Sequence, residues 1–157
     1  MELHNIPPVW DKNSKILILG SFPSVASREA EFFYAHPQNR FWRVLSSVLC
    51  EKAPETVEEK RKLLLSNGIA LWDVIQSCEI SGSSDSSIKN ALPNDICLIL
   101  KESKTTRIFT NGKTAHRLYE RLIFPKTKIV DICLPSTSAA NAAVSLNGLI
   151  EAWRVIK

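Results

Sequence analysis

Short, continuous apolar runs alternate along this chain with stretches in which apolar residues recur at helical spacing. Such runs, without the alternation of a half-exposed strand, are typical of parallel strands covered on both faces. Helical stretches between them imply right-handed crossovers and helices on both sides of one sheet. The predicted fold class is therefore α/β, a three-layer αβα sandwich with a central four-stranded, mainly parallel sheet. The predicted strands are Lys15–Leu19, Ile69–Val74, Arg107–Thr110 and Lys128–Leu134.

Cap signals and apolar spacing predict the helices. The first covers about Pro37 to Cys50, because proline suits a first turn in which its missing N–H costs nothing. The second begins at the capping box Thr56-Val57-Glu58-Glu59 and ends at Asn67-Gly68, a left-handed stop. Further helices are predicted over Pro93–Leu100, over Thr114–Ile123 and at the chain end, where Leu146, Leu149, Ile150 and Trp153 share a face.

Two stretches of the chain show neither the helical nor the strand spacing of apolar residues. Met1 to Ser14 is predicted to be an extended lead-in, with Trp10 packing beside the first strand. Ser81 to Ser87 is a polar loop, short enough to be an excursion of one domain. One domain over residues 1–157 is expected, because a chain of 157 residues can bury a single core without disulfides or metal.

Composition narrows the class of protein. Apolar residues at 45% and charged residues at 23% argue against disorder or a coiled coil. The apolar runs are far too short to cross a bilayer, and Met1 to Trp10 does not have the form of a signal peptide, so a soluble cytoplasmic protein is expected. The four cysteines form no CxxC pair, which argues against zinc, iron–sulfur and redox dithiol sites and predicts reduced, buried thiols. A net charge of +4 permits a nucleic-acid partner without requiring one.

Four unusual segments fall where open parallel sheets bind ligands, beyond the carboxyl ends of the strands. Three directly follow a predicted strand, and the fourth lies between the first strand and its helix. We therefore expect them to converge on one edge, here called the rim. The segments are Gly20-Ser21-Phe22-Pro23-Ser24, Tyr34-Ala35-His36-Pro37-Gln38-Asn39-Arg40-Phe41-Trp42, Thr110-Asn111-Gly112-Lys113 and Leu134-Pro135-Ser136-Thr137-Ser138-Ala139-Ala140-Asn141.

The residue types of the rim disfavour several chemistries. The first segment lacks the Lys-Ser/Thr ending of a P-loop and the spaced glycines of a dinucleotide site. No motif places a histidine beside Ser136 or Ser138 as the base of an acyl-transfer pair. The three histidines are too scattered along the chain for metal-ligand spacing. Amides, hydroxyls, backbone donors and aromatic faces remain, and these suit a flat polar heterocycle such as a nucleobase.

The order and spacing of these segments resemble the motifs of the uracil-DNA glycosylase superfamily. The stretch from Ala35 to Trp42 is similar to the mismatch-specific branch. Together with Gly68–Val74 and Thr110–Lys113, the combination most resembles the hypoxanthine-DNA glycosylase (deoxyinosine glycosylase) class. The resemblance spans the chain from about Lys15 to the final helix.

This resemblance implies a monofunctional DNA glycosylase of base excision repair. Such an enzyme flips out a deaminated base, here hypoxanthine from deoxyinosine, and hydrolyses its N-glycosidic bond to leave an abasic site. The implied partner is DNA containing a deaminated base, with no cofactor, no metal and no membrane, and we expect a monomer. No lysine occupies a motif position suited to Schiff-base chemistry, so strand nicking is not predicted.

Two departures from the family pattern bear on the mechanism. Phe22 stands where other branches carry an Asp or Asn that activates water, and in the hypoxanthine class this duty passes to the asparagine of the second motif, here Asn39. Asn39 is expected to hold a water through its side-chain carbonyl, while Tyr34 stacks on the base. Ser136 stands where His or Asn is usual, so a smaller group replaces the strong donor to a uracil carbonyl.

The remaining site residues follow from the same resemblance. Backbone amides of the first segment are expected to meet the charge on the departing base, and the loop from Pro135 is expected to enter the minor groove. The base-binding residues would be Gly20, Ser21, Phe22, Pro23, Tyr34, His36, Asn111 and Ser136. The DNA-binding residues would be Ser24, Arg40, Lys113, Pro135, Thr137, Ser138, Ala139, Ala140 and Asn141.

The same residues have ordinary structural interpretations. Asn39 could be a helix cap, Tyr34 and Phe22 could belong to the core, and Arg40 could simply face solvent. Asn111-Gly112 is a frequent turn pair. The alternative functions are a uracil or G·T/G·U mismatch glycosylase, a non-catalytic damaged-DNA-binding module, and a nucleotide-binding α/β protein unrelated to repair.

Overall fold

A computed structural model describes residues 1–157 of the chain. The strands are β1 (Glu2–Leu3), β2 (Ile16–Gly20), β3 (Ile69–Asp73), β4 (Ile75–Glu79), β5 (Lys89–Pro93), β6 (Arg107–Asn111) and β7 (Ile132–Leu134). The α-helices are α1 (Val25–Ala30), α2 (Phe41–Val48), α3 (Val57–Ser66), α4 (Ile96–Glu102), α5 (Lys113–Leu122), α6 (Phe124–Thr127) and α7 (Leu146–Trp153).

The central sheet has the strand order β3-β2-β6-β7, and every neighbouring pair is parallel. Successive residues of β2 enter opposite cores, as the two-residue period of a strand requires. Ile16 and Ile18 pack with residues of α2, α3 and α7, whereas Leu17 and Leu19 pack with residues of α4 and α5. Helices therefore cover both faces of the sheet, and the predicted three-layer α/β fold is confirmed.

Several predicted boundaries were wrong. The last strand begins at Ile132 instead of Lys128, because the short helix α6 precedes it and Lys128 ends that helix in a left-handed conformation, with φ of 58°. The helix expected from Pro37 begins only at Phe41. Pro93 does not open a helix; it ends β5, where its missing N–H is tolerated at the end of an edge strand, and α4 begins at Ile96.

A second sheet, antiparallel with the order β1-β4-β5, was missed in the sequence. Its strand β4 follows β3 after the single residue Val74, so the apolar run of β3 hides the start of a new strand. Asn94 is buried at this junction, where its Nδ2 donates to the carbonyl oxygens of Asp73 (2.9 Å) and Ile75 (3.1 Å). Trp10 is partly buried against the core that includes Leu17 and Leu19, as expected.

The expectation of buried cysteines needs correction. All four cysteines are free thiols, but only Cys78 is buried, and Cys50 and Cys133 are exposed. His116 lies between two carboxyl groups, since its Nδ1 is 2.7 Å from Asp131 and its Nε2 is 2.7 Å from Glu120. This arrangement ties α5 to the chain just before β7.

None of the helices has both the length and the apolar character needed to cross a membrane.

The two leucines Leu64 and Leu98 provide a matched test of the core. Leu64 of α3 is 0% exposed and Leu98 of α4 is 45% exposed. Leu64→Ala should lower the free energy of unfolding by about 2–5 kcal/mol because it leaves a cavity in the core. Leu98→Ala should change it by no more than about 0.5 kcal/mol. Denaturant unfolding measures both, and an equal effect in the two variants would contradict this assignment of the core.

Candidate active site

Aromatic anchors fix the segment before α2. Phe32, Phe33 and Trp42 are buried, and the Trp42 indole N–H donates to the Phe33 carbonyl at 3.1 Å. Between these anchors Tyr34 adopts a left-handed conformation with φ of 52°, which is uncommon for a bulky residue. The turn that follows is thereby held at both ends, and its side chains are directed to the rim.

One hydrogen-bonded chain of side chains crosses the rim. The Asn111 Nδ2 donates to the Tyr34 hydroxyl (3.1 Å) and to the Thr137 Oγ1 (3.0 Å). The Thr137 amide donates in return to the Asn111 Oδ1 at 3.0 Å, and the Thr137 hydroxyl donates to the Asn39 Oδ1 at 2.9 Å. The second, third and fourth unusual segments are thus joined directly, as the prediction of one converging rim requires.

The side-chain oxygen of Asn39 is fully used. It accepts from the Phe41 backbone N–H at 2.9 Å as well as from the Thr137 hydroxyl. These two donors fix the orientation of the amide, because only the oxygen can accept both bonds. The Asn39 Nδ2 makes no hydrogen bond within the protein and is the free end of the side chain.

The side-chain hydrogen-bonding groups of Asn111 are also mostly occupied. Its Nδ2 donates both hydrogens, to Tyr34 and to Thr137, so this amide has no free N–H to offer a ligand. One lone pair of its oxygen remains, since the oxygen accepts only from the Thr137 amide.

Tyr34 is half-buried against the core. Its ring stacks on Phe41 with centroids 4.1 Å apart and planes 18° from parallel. Burial, with a further contribution from the nearby charge of Asp73, raises the pKa of Tyr34 well above its usual value. Its hydroxyl therefore stays protonated, and because it accepts from Asn111 it keeps its own hydrogen free to donate.

A buried carboxyl group lies beside this network at the end of β3. The Asp73 Oδ2 is 2.8 Å from the His4 Nε2, and the His4 Nδ1 accepts from the Ile6 amide. The His4 Nε2 is therefore the donor to Asp73. The Asp73 Oδ1 makes no hydrogen bond within the protein and lies against Gly20, where a β-carbon would overlap it and would come within 2.9 Å of the Tyr34 hydroxyl.

A second carboxyl group reaches the rim from the serine loop, residues 81–87. The Ser21 hydroxyl donates to the Asp85 Oδ1 at 3.0 Å. The loop is tied to α1 by the Arg28 guanidinium, which donates to the Gly82 carbonyl at 2.7 Å, and by the Val25 amide, which donates to the Ser83 hydroxyl at 2.9 Å.

Arg40 has a different role from the predicted contact with DNA. Its guanidinium donates to the carbonyl oxygens of Val144 (2.6 Å), Ser138 (3.0 Å) and Asn141 (3.0 Å). Its backbone amide donates to the Thr137 carbonyl at 3.0 Å. Arg40 therefore supports the 135–144 loop from inside, and a contact with phosphate would compete with these bonds.

Three other predicted site residues lie inside the protein. Thr137 is 0% exposed, so it positions Asn39 and Asn111 and does not reach DNA. Phe22 is 7% exposed and packs in the core, with its ring centroid 6.1 Å from that of His4 and 5.4 Å from the Arg28 guanidinium. Pro23 beside it is also buried.

The remaining predicted residues stay at the surface or at turns. Ser24 caps α1 by accepting from the Ser27 amide at 3.1 Å. The Ser136 hydroxyl accepts from the Ser138 amide at 3.1 Å, and the Asn141 Nδ2 donates to the Ser136 carbonyl at 3.0 Å. Pro135 is half-buried. The exposed members are His36, Lys113, Ala139 and Ala140.

Sequence reasoning missed His4, Asp73 and Asp85. Asp73 carried a usable signal, because it is an acidic residue at the carboxyl end of an otherwise apolar parallel strand. His4 and Asp85 carried none, since the first lies in the lead-in and the second in a serine-rich loop without periodicity.

Comparison with known proteins identifies the family. The model of the uracil DNA glycosylase superfamily matches residues 7–157. The chain therefore belongs to this superfamily, and the resemblance inferred from its motifs is confirmed.

Individual relatives narrow the class of glycosylase within the superfamily. The chain is 40% identical over 156 residues to a hypoxanthine DNA glycosylase of Methanosarcina acetivorans, covering 96% of this chain and 94% of the relative. It is 35% identical over 146 residues to a hypoxanthine DNA glycosylase of Methanosarcina barkeri, covering 90% and 89%. It also resembles the solution NMR structure of a candidate uracil DNA glycosylase from Methanosarcina acetivorans, with a TM-score of 0.80, 33% identity and 96% coverage of each chain.

The position of Thr137 in the network can be tested by removing its hydroxyl alone. Thr137→Val should lower the free energy of unfolding by about 1–3 kcal/mol, because the Asn39 Oδ1 and the Asn111 Nδ2 each lose one hydrogen bond to the buried hydroxyl. Thr106→Val changes an exposed threonine that makes no side-chain hydrogen bond and should have little effect. Thermal or denaturant unfolding distinguishes the two, and equal stabilities would show that the hydroxyl is dispensable.

Proposed function

We propose that this chain is a monofunctional DNA glycosylase that removes hypoxanthine from deoxyinosine and leaves an abasic site. The observation that carries the proposal is the network joining Tyr34, Asn111, Thr137 and Asn39, which places an aromatic ring and a free amide at one rim. Similarity to two hypoxanthine DNA glycosylases over most of both chains supports the choice of base.

The base would be held outside the duplex, since the rim is a surface feature and chemistry at C1′ requires extrusion of the nucleotide. Phe41 already covers one face of the Tyr34 ring. The base stacks on the other face, where the rigid pair of aromatic rings provides contact area at little cost in conformational entropy. Because the Tyr34 hydroxyl remains neutral, it adds no charge beside the base.

The edge of the base is read by Asp73. Deamination of adenine converts its N1 from an acceptor into an N–H donor, and a carboxylate oxygen can accept from that N–H but not pair with adenine N1. The Asp73 Oδ1 has no partner in the protein, and His4 fixes the other oxygen of the same carboxylate. Gly20 provides the space for this contact, since any side chain there would displace the carboxylate.

Asn39 positions the attacking water. Its side-chain carbonyl was expected to do so, but both lone pairs of this oxygen are occupied. The Asn39 Nδ2 donates to the water instead, which leaves the water another lone pair directed at C1′. Backbone N–H groups of the 20–24 segment, in which Pro23 has none, stabilise the charge that develops on the departing base.

DNA binding relies on shape and on a modest positive charge of +4. The exposed Ala139 and Ala140 at the tip of the 135–144 loop are small enough to approach the minor groove closely. Arg40 keeps this loop in one conformation from behind. The protein acts as a monomer in the cytoplasm, with Lys113 close to the phosphates.

Base release from defined duplexes tests the proposed function. Duplexes that hold one deoxyinosine, one uracil or one G·T mismatch are incubated with the protein and then cleaved with alkali at abasic sites. We expect product from the deoxyinosine duplex. If none of the duplexes yields abasic product, the proposal that the protein is a glycosylase is refuted. A preference for uracil or thymine would refute only the choice of hypoxanthine as the base.

Asn39→Ala should reduce single-turnover base release by about 10²–10³-fold, the loss typical of removing one positioned polar group from a catalytic site. Asn13→Ala is the control, because it changes an exposed asparagine that precedes β2 and so lies at the opposite end of that strand from the rim. Thermal unfolding of both variants separates loss of chemistry from loss of fold. Full activity of the Asn39 variant would remove this residue from the mechanism.

Asp73→Asn should reduce excision of hypoxanthine by about 10- to 100-fold, the cost of one hydrogen bond to a charged group. The His4 Nε2 can still donate to the amide oxygen, so the new Nδ2 faces the base and meets its N1–H as a second donor. Initial rates with the deoxyinosine duplex measure the effect. An unchanged rate would show that Asp73 does not read the base.

A further inference from the structure

Hydrolysis of the glycosidic bond requires a group at the rim that accepts a proton from the attacking water. Asn39 is a neutral amide whose oxygen is already occupied by two donors. Phe22 has no polar group and lies in the core. Neither residue can accept a proton, so the acceptor is a different side chain.

Asp85 has the chemistry and the position for this task. Its Oδ1 accepts from the hydroxyl of Ser21, the residue that directly follows the end of β2. Its Oδ2 makes no hydrogen bond or ion pair with the protein. The free oxygen is therefore available to a water at the rim, and the bound oxygen fixes the orientation of the carboxylate.

The serine loop holds Asp85 in place. Apart from its two bonds to α1, the loop is closed on itself, since the Ser87 hydroxyl accepts from the Ser81 amide at 2.9 Å and donates to the Ser84 carbonyl at 2.6 Å. A loop that served only as a connection between β4 and β5 would not need this many internal and external bonds.

Asp73 is a weaker candidate for the same proton. Its carboxyl group is buried, one oxygen is bonded to His4, and the other lies against Gly20 at the inner end of the site. That position suits contact with the edge of a base, whereas Asp85 is exposed and can exchange a proton with solvent.

We propose that Asp85 is a catalytic residue whose Oδ2 accepts the proton of the attacking water. This inference rests on the proposed function. As the bond between C1′ and the base nitrogen breaks, its electron pair leaves with the base. The water oxygen forms the new bond to C1′ and transfers one proton to Asp85, which passes it to the departing base and returns to the carboxylate form.

The surroundings of Asp85 make it a stronger base than a free carboxylate. Although Asp85 as a whole residue is exposed, its carboxyl group lies against the rim beside Ser21, and the burial of that group raises the pKa of Asp85; the hydrogen bond from Ser21 opposes this, and the charge of Asp73 adds to it. The other ionisable groups nearby are Tyr34, Cys78 and Arg28. Since the pKa is raised, acidification should convert Asp85 to its inactive, protonated form at a higher pH than for an ordinary aspartate.

The test compares Asp85→Asn with Asp85→Ala in single-turnover assays on the deoxyinosine duplex at saturating protein. The asparagine oxygen can still accept from Ser21, so Asp85→Asn keeps the loop contact and removes only the proton acceptor. We expect both variants to lose about 10²–10⁴-fold in rate, the usual contribution of a general base. Affinity for DNA should be retained or increased, since a negative charge is removed.

Asp95→Asn is the matched control, because it removes an equally exposed carboxylate at the start of α4 and should leave the rate unchanged. The acidic limb of the wild-type pH–rate profile should be absent in Asp85→Asn. Wild-type rates in Asp85→Asn, with or without a loss in Asp85→Ala, would overturn the proposal and reduce Asp85 to a hydrogen-bond acceptor. A wild-type protein that releases no base would instead refute the proposed function itself.

Discussion

The buried hydroxyl of Thr137 is the interaction on which the arrangement of the rim depends. It accepts from Asn111 at the end of β6 and donates to Asn39 before α2, while the Thr137 backbone amide donates to Asn111. The Phe41 amide also donates to the Asn39 Oδ1, so the oxygen of Asn39 faces Thr137 and the one hydrogen of the Thr137 hydroxyl goes to it. The Thr137 amide orients Asn111 in the same way, so one buried threonine contacts both oriented asparagines, and a buried network of this kind is most stable when its members are satisfied.

The parallel sheet explains why these groups can meet at all. Gly20, Asp73, Asn111 and Leu134 end four neighbouring parallel strands, so their following segments emerge at the same edge. The sheet does not determine side-chain directions, however. Those depend on contacts between residues far apart in the chain, such as the bonds from Arg40 to the 135–144 loop, which cross 98 to 104 positions. The strands therefore determine where the site lies, and contacts between the loops determine the directions of its side chains.

The difference between local strand signals and contacts over long sequence distances explains which features could be predicted from the sequence. The strand pattern indicated the α/β fold and the converging segments, because apolar runs and turn residues are local signals. The directions of Phe22, Arg40 and Thr137 could not be predicted, because each depends on a partner that only the folded chain brings near. The antiparallel strands β1, β4 and β5 were hidden for a related reason: β1 has two residues, and β4 follows β3 with one residue between. Asp73 was the exception, a missed residue with a local signal.

The distribution of charge at the rim is consistent with a site that must approach a polyanion. Each carboxylate near DNA weakens binding, so carboxylates are expected only where an uncharged group cannot perform the task. Positioning a water needs no charge, and the residue proposed for that role, Asn39, is a neutral amide. Accepting a proton does require a base, and reading an N–H favours a strong acceptor. These are the roles proposed for Asp85 and Asp73. Asp73 is buried behind Gly20 and paired with His4, and Asp85 is on a loop beside Ser21. Neither carboxylate therefore lies on the 135–144 loop, the segment proposed to approach the groove.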